Sequence, residues 1–163
     1  MGIFDKLFSS KNKEFSISAP VAGKVVPIRE VSDPTFGQEI LGKGVAIHPC
    51  ANRIVAPCDG TVEMMFDTGH AVSLTAENGA EVLIHVGLET VSLGGKHFTP
   101  HVKNGDRVQK GQLLLEFDRE AIAQEGFDTI TPIVICNSDQ FGDIHVYADK
   151  SVQEGEPVLG LIK

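Results

Sequence analysis

The rhythm of the apolar residues restricts this chain more than any other feature. From Phe15 onward, short β-favouring runs alternate with clusters of Gly, Pro, Asn and Asp. The runs are VVPI, GVAIHP, RIVAP, GTVEMMF, HAVSLTA, EVLIHVG, QLLLEF, TPIVICN and IHVYA. Closely spaced short strands with turn signals between them are the pattern of an all-β sandwich or barrel. Only residues 119–125 (REAIAQE) carry a helical pattern, and they do so briefly.

Two internal echoes sharpen that expectation. Ala19-Pro20-x-x-Gly23-x-Val25 recurs as Ala56-Pro57-x-x-Gly60-x-Val62. Val108-Gln109-x-Gly111, followed by Leu114-Leu115, recurs as Val152-Gln153-x-Gly155, followed by Val158-Leu159. Each unit reads as a hairpin with a turn glycine between its strands. An antiparallel β-sandwich or barrel with approximate internal duplication is therefore expected, as one domain over residues 15–163. Residues 1–14 read as a flexible tail. Ile3, Phe4, Leu7 and Phe8 stand there at helical spacing, with Lys6, Lys11 and Lys13 nearby. A membrane surface could order such an amphipathic segment, and a frayed terminus is the plainer alternative.

Composition excludes several classes of function. A net charge of −8 is the wrong sign for a nucleic-acid partner, whose phosphates call for clustered Lys and Arg. No stretch approaches the roughly 18 unbroken apolar residues of a membrane span, and no signal-peptide core is visible. The chain is expected in the cytoplasm. Its three cysteines, Cys50, Cys58 and Cys136, form no CxxC pair and read as free thiols.

Six histidines remain as candidates for chemistry. His48 and His145 read as solvent-facing strand residues. His97 and His101 have the i, i+4 spacing of a helical metal pair, but Pro100 opposes a helix there. His85 interrupts the apolar run EVLIHVG; taken alone, such a histidine is more often a hydrogen-bonded core residue. Thr68 stands two positions before His70, so on a strand its hydroxyl would share a face with the imidazole and could fix its tautomer. Paired strands carrying His70 and His85 would let the rings converge, for phosphoryl transfer through a ring nitrogen or for zinc with further ligands. A zinc-peptidase reading lacks its HxH motif, and Leu74 and Glu89 stand where an HxxxD pair would need Asp.

Gly79-x-x-Val82-Leu83-Ile84-His85-Val86-Gly87-Leu88-x-Thr90-Val91 resembles the signature of glucose-type enzyme IIA proteins of the bacterial sugar phosphotransferase system, as does Thr68-x-His70-Ala71. Asp33-x-x-Phe36, Gly42-x-Gly44-Val45-Ala46-Ile47, Val55-Ala56-Pro57 and Thr131-Pro132-Ile133-Val134 match in the same order. The resemblance implies a β-sandwich of the duplicated hybrid-motif type. It implies a phosphohistidine at His85, loaded by phosphorylated HPr and unloaded onto a cysteine of a sugar-specific IIB domain. His70 would steady the phosphoryl group, and Thr68 would orient His70. Asp33, Phe36, Glu89 and Val91 match the family's docking surface. No cofactor is implied for transfer, and zinc between His70 and His85 only with a ligand from a partner. The resemblance also admits a regulatory role, since unphosphorylated enteric members inhibit other sugar permeases and glycerol kinase. Glu89 and Lys43 stand where many members have Asp, and Gly69 where many have a bulkier residue, departures that bear on partner specificity.

Overall fold

The computed structural model describes residues 14–163, so the predicted tail falls almost wholly outside the described residues. The strands are β1 (Phe15–Ser18), β2 (Gly23–Pro27), β3 (Lys43–Pro49), β4 (Arg53–Val55), β5 (Gly60–Met65), β6 (Ala71–Ala76) and β7 (Glu81–His85). They continue as β8 (Phe98–Pro100), β9 (Arg107–Val108), β10 (Leu113–Phe117), β11 (Thr131–Ile135), β12 (Asp143–Val146), β13 (Lys150–Val152) and β14 (Pro157–Ile162). Two short helices, α1 (Pro34–Gly37) and α2 (Arg119–Gln124), complete the described elements together with single 3-10 turns. Helix α2 occupies the one segment whose sequence pattern is helical; its N-cap Asp118 accepts a hydrogen bond from the Ala121 amide.

An eight-stranded sheet runs β13-β2-β3-β11-β7-β6-β5-β9, and two three-stranded sheets run β1-β14-β12 and β4-β10-β8. Neighbouring strands are antiparallel in all three sheets. The order of the large sheet is a palindrome. Exchanging β13 with β9, β2 with β5, β3 with β6 and β11 with β7 reproduces it, and the same exchange maps one small sheet onto the other. The expected duplication is therefore present. One copy is the unbroken stretch β4–β10, and the other is split around it.

The hairpin reading of the echoes needs correction. Gly23 and Gly60 open strands that follow a change of sheet, from β1 to β2 and from β4 to β5. They are glycines because the adjacent strand comes too close for a side chain: a Cβ would lie 2.1 Å from the His48 carbonyl oxygen at Gly23 and 2.4 Å from that of Thr75 at Gly60. The second echo does contain a turn, with Gln112 N–H donating to Gln109 O and Glu156 N–H to Gln153 O. Its flanking strands do not pair; β9 and β13 are edges of the large sheet, while β10 and β14 are the centres of the small ones.

The two faces of the large sheet are unequally covered. Its inner face meets both small sheets over a core that includes Ile47, Val72, Leu74, Val82, Ile84, Ile133 and Ile135. The outer face carries a smaller cluster of Val26, Ile28, Val31, Phe36, Ala46, Leu88, Ile130 and Val134, with Leu83 packed against it. Coverage on both sides explains why all five residues of the central strand β11 are buried and apolar alternation is lost there. In β7 the period of two survives: Val82 and Ile84 enter the main core, which sends Leu83 and His85 to the outer face. His85 is thus delivered to the edge of the smaller cluster rather than into the main core.

Candidate functional site

The pairing of β6 with β7 sets Ala71 opposite His85, and the Val86 amide donates to the His70 carbonyl at 2.7 Å. Two residues that lie far apart along the chain are thereby held side by side, with ring centroids 4.8 Å apart and planes at 79°. His70 is buried, whereas His85 is partly open at the surface.

Each ring is held through Nδ1. The His85 Nδ1 lies 2.7 Å from the Gly87 carbonyl oxygen, which only accepts, so Nδ1 carries the proton and donates. The neutral His85 ring therefore has its lone pair on Nε2. The His70 Nδ1 is hydrogen-bonded to the Thr68 hydroxyl. Thr68 and His70 meet as the sequence reading expects, but for another reason. Residues 67–70 form a turn, closed by Gly69 N–H to Phe66 O and Phe66 N–H to Ala71 O, and not a strand with a shared face. Neither Nε2 has a hydrogen-bond partner among the described residues.

The electrostatics keep both rings neutral near pH 7. Burial, and then the neighbouring charge of His85, lowers the His70 pKa from the ordinary 6.5 to about 4. Burial also lowers His85, opposed by its hydrogen bond to the Gly87 carbonyl and by the negative charge of Asp33. A neutral imidazole with a free Nε2 is a nucleophile, and a neutral imidazole with an Nε2 proton is a hydrogen-bond donor. A free Nε2 lone pair on His85, with a neutral imidazole a ring's width away, is an arrangement that can take up a phosphoryl group.

Three aromatic rings frame the pair. Phe36 tilts against His85 at 5.0 Å, Phe66 meets His70 edge-on at 5.3 Å, and Phe98 lies 6.5 Å from His70. Phe36 is only 4 % exposed and presents little of its ring outward, whereas Val91 is 54 % exposed. Asp33 caps α1, accepting from the Thr35 amide at 3.0 Å. Glu89 is exposed at the tip of the loop after His85. Asp33, Glu89 and Asp128 line a shared cleft of about 520 Å³ beside Leu88 and Phe127. The sequence reading leaves out Phe66, Phe98 and Asp128. Asp128 comes from a segment that only the β11–β7 pairing brings near, and no local pattern marks it.

The other candidates separate from this site. His48 and His145 are exposed strand residues, as expected. His97 pairs with Glu125, and His101 Nε2 donates to Glu116 Oε1 at 2.7 Å, so the two histidines serve different carboxylates and share no helix. The three cysteines are free, and burial pushes the Cys58 thiol up to about 11, far from a reactive thiolate. Among the described residues no helix is long and apolar enough to cross a membrane.

Residues 15–141 match the family described as phosphoenolpyruvate-dependent sugar phosphotransferase system, EIIA 1. The glucose-specific EIIA component of Oceanobacillus iheyensis is 42 % identical over 157 residues, covering 94 % of this chain and 95 % of that protein. The beta-glucoside-specific EIIBCA component of Dickeya chrysanthemi is 46 % identical over 150 residues, or 92 % of this chain, which spans only 24 % of that longer protein. The solved glucose permease IIA from Mycoplasma capricolum has a TM-score of 0.81 at 31 % sequence identity, covering 91 % of this chain and 96 % of that one. With matches over most of its length and the same antiparallel sandwich, the chain belongs to the EIIA 1 family of the phosphoenolpyruvate-dependent sugar phosphotransferase system.

Proposed function

We propose that His85 is the phosphoryl carrier, loaded by phosphorylated HPr and unloaded onto a cysteine of a IIB domain. The observation that carries this reading is the pair of histidines with both Nδ1 atoms engaged and both Nε2 atoms free. In loading, the Nε2 lone pair of His85 attacks the phosphorus of the donor's phosphohistidine. The N–P bond on the donor breaks, and its electron pair returns to the donor ring. In unloading, a thiolate attacks the same phosphorus and the pair returns to His85 Nε2. His70, kept neutral, takes its Nδ1 hydrogen bond from Thr68 and donates its Nε2 proton to a phosphoryl oxygen. No cofactor enters; the work is in-line positioning and charge stabilisation.

The IIB partner is supported by the beta-glucoside relative, whose name joins an A component to B and C in one protein. The donor's approach is supported by the cleft of Asp33, Glu89 and Asp128, which suits a basic side chain, and by the exposed Val91 two residues beyond Glu89. Two imidazole nitrogens make half of a tetrahedral zinc site, and no group of three or more metal-binding side chains converges among the described residues. In this reading zinc at His70 and His85 would be completed by a ligand from a partner.

Incubation with phosphoenolpyruvate, enzyme I and HPr tests the reading. Intact mass should show one phosphoryl group on the wild type, passed to a IIB domain on addition. A His70→Gln variant should still load, because the attacking Nε2 lone pair belongs to His85. It should deliver to IIB about 100-fold more slowly, the scale of losing one hydrogen bond to developing charge. A wild type left unmodified by competent HPr would end the carrier reading.

A further inference from the structure

Thr90 is one of five polar residues buried among those described, and it touches neither partner surface nor reacting atoms. Its hydroxyl donates to the Val86 carbonyl at 2.5 Å, four residues back. Its methyl occupies the space that a side chain at Gly87 would need: a Cβ there would lie 2.6 Å from Thr90 Cγ2. Only a residue with both a hydroxyl and a methyl on Cβ does both.

The loop it closes is the one that aims the Gly87 carbonyl at His85. Gly87 and Glu89 both take left-handed backbone, at φ 77° and 59°, so the loop has no regular ladder to hold it. Three hydrogen bonds do so instead. The peptide joining Val86 to Gly87 is gripped at its N–H by the Ile130 carbonyl (3.1 Å) and at its oxygen by Thr90. The next peptide is gripped at the Leu88 N–H by the Asp128 carbonyl (3.0 Å). Its oxygen is the Gly87 carbonyl that accepts from His85 Nδ1. Of the three grips, Thr90 supplies the one made by a side chain.

We infer that Thr90 is a positioning residue: by holding the Val86 carbonyl it orients the Gly87 carbonyl and so keeps the His85 proton on Nδ1 and the lone pair on Nε2. Without the hydroxyl, the Val86 oxygen is left buried and unpartnered, a state that drives the peptide to rotate in search of a donor. Rotation of that peptide turns the following one, and His85 loses the acceptor that selects its tautomer. The inference rests on the carrier reading for its purpose, but its geometry can be tested separately.

The test compares wild type, Thr90→Val and Thr90→Ser by nitrogen NMR of the histidine rings and by loading kinetics with phosphorylated HPr. Wild type should show a single Nδ1–H tautomer at His85. Thr90→Val, with its methyl but no hydroxyl, should show both tautomers. It should load about ten-fold more slowly, the scale seen when the outer hydrogen-bond partner of a metal-ligating histidine is removed. The apparent KM for HPr should not move, because Thr90 is buried. Thr90→Ser should restore the single tautomer and most of the rate. A folded Thr90→Val with an unchanged tautomer and rate overturns the inference. If Thr90→Val does not fold, Thr90→Ala, which also lacks the hydroxyl, takes its place with the same expectation, and a single unchanged tautomer there overturns the inference. Failure of HPr to load the wild type would sink the carrier reading while leaving the tautomer measurement intact.

Discussion

A His85→Gln variant is expected to gain no phosphoryl group from HPr at any time of incubation, with the fold intact. Glutamine reproduces the length of the ring and can keep the Phe36 contact, but its amide nitrogen has no basic lone pair to attack phosphorus. His70 does not substitute, since its ring is buried and its Nδ1 is taken by Thr68. Intact mass on variant and wild type gives the answer directly. A phosphorylated His85→Gln would move the nucleophile elsewhere, and His70→Gln in the same background would say whether it is the neighbour. The pH dependence of wild-type loading has a definite sign. His85 is held below the ordinary 6.5, so the nucleophilic neutral form dominates at pH 7, and the rate should stay flat there and fall only as pH drops through the lowered value. In His85→Gln the charge that helps depress His70 is gone, so His70 should titrate higher than in wild type, yet still below 6.5 because burial is the larger cause.

Gly87→Ala should be the most damaging small substitution near the site. Gly87 sits at φ 77°, and a methyl there would lie 2.6 Å from Thr90 Cγ2 and 2.8 Å from the Asp128 carbonyl oxygen. Left-handed backbone costs a non-glycine residue about 1–2 kcal/mol, and forcing an extra methyl into a filled space costs about 1–3 kcal/mol. A loss of about 3 kcal/mol is therefore expected, read as a lower denaturation midpoint in urea with an unchanged slope. The Asp128 contact is backbone, so it cannot yield as a side chain could. The variant should also load slowly, because any shift that relieves the clash moves the carbonyl that holds His85. An unchanged midpoint would mean that the loop after β7 is far looser than its hydrogen bonds imply.

Much of this arrangement is legible in the residue pattern. The nine apolar runs all form strands, the short REAIAQE segment forms α2, and the echoes mark a real duplication. Thr68 and His70 can be linked from spacing alone, although the spacing argument assumed a strand where the chain makes a turn. The partner of each strand was not legible. A glycine that ends a hairpin and a glycine that lets the adjacent strand of its sheet come close look alike in sequence, which is why the echoes read as hairpins. The outer-face cluster is hidden for a related reason. Phe36, Ile130 and Val134 come from distant segments, and only the β3–β11–β7 register makes them neighbours. Val91 and Phe36 carry the same expectation in sequence and differ widely in exposure, because Phe36 has a cluster to enter and Val91 has none.

The nesting of one structural copy inside the other has a consequence for how the chain assembles. The inner copy closes on itself early: β4 meets β10 within residues 53–117. The outer copy cannot close until the last strand exists, because Phe15 pairs with Leu161 and both β1 and β12 lean on β14 alone within their sheet. Contacts between distant parts of a chain form late and slowly. During synthesis the His70–His85 pair and the inner copy can be in place while the first strand still waits for its partner. Removing residues 157–163 should strip hydrogen-exchange protection from β1 and β12 and leave β4, β10 and β8 protected. Equal loss across both small sheets would instead show that the two copies fold as one cooperative unit.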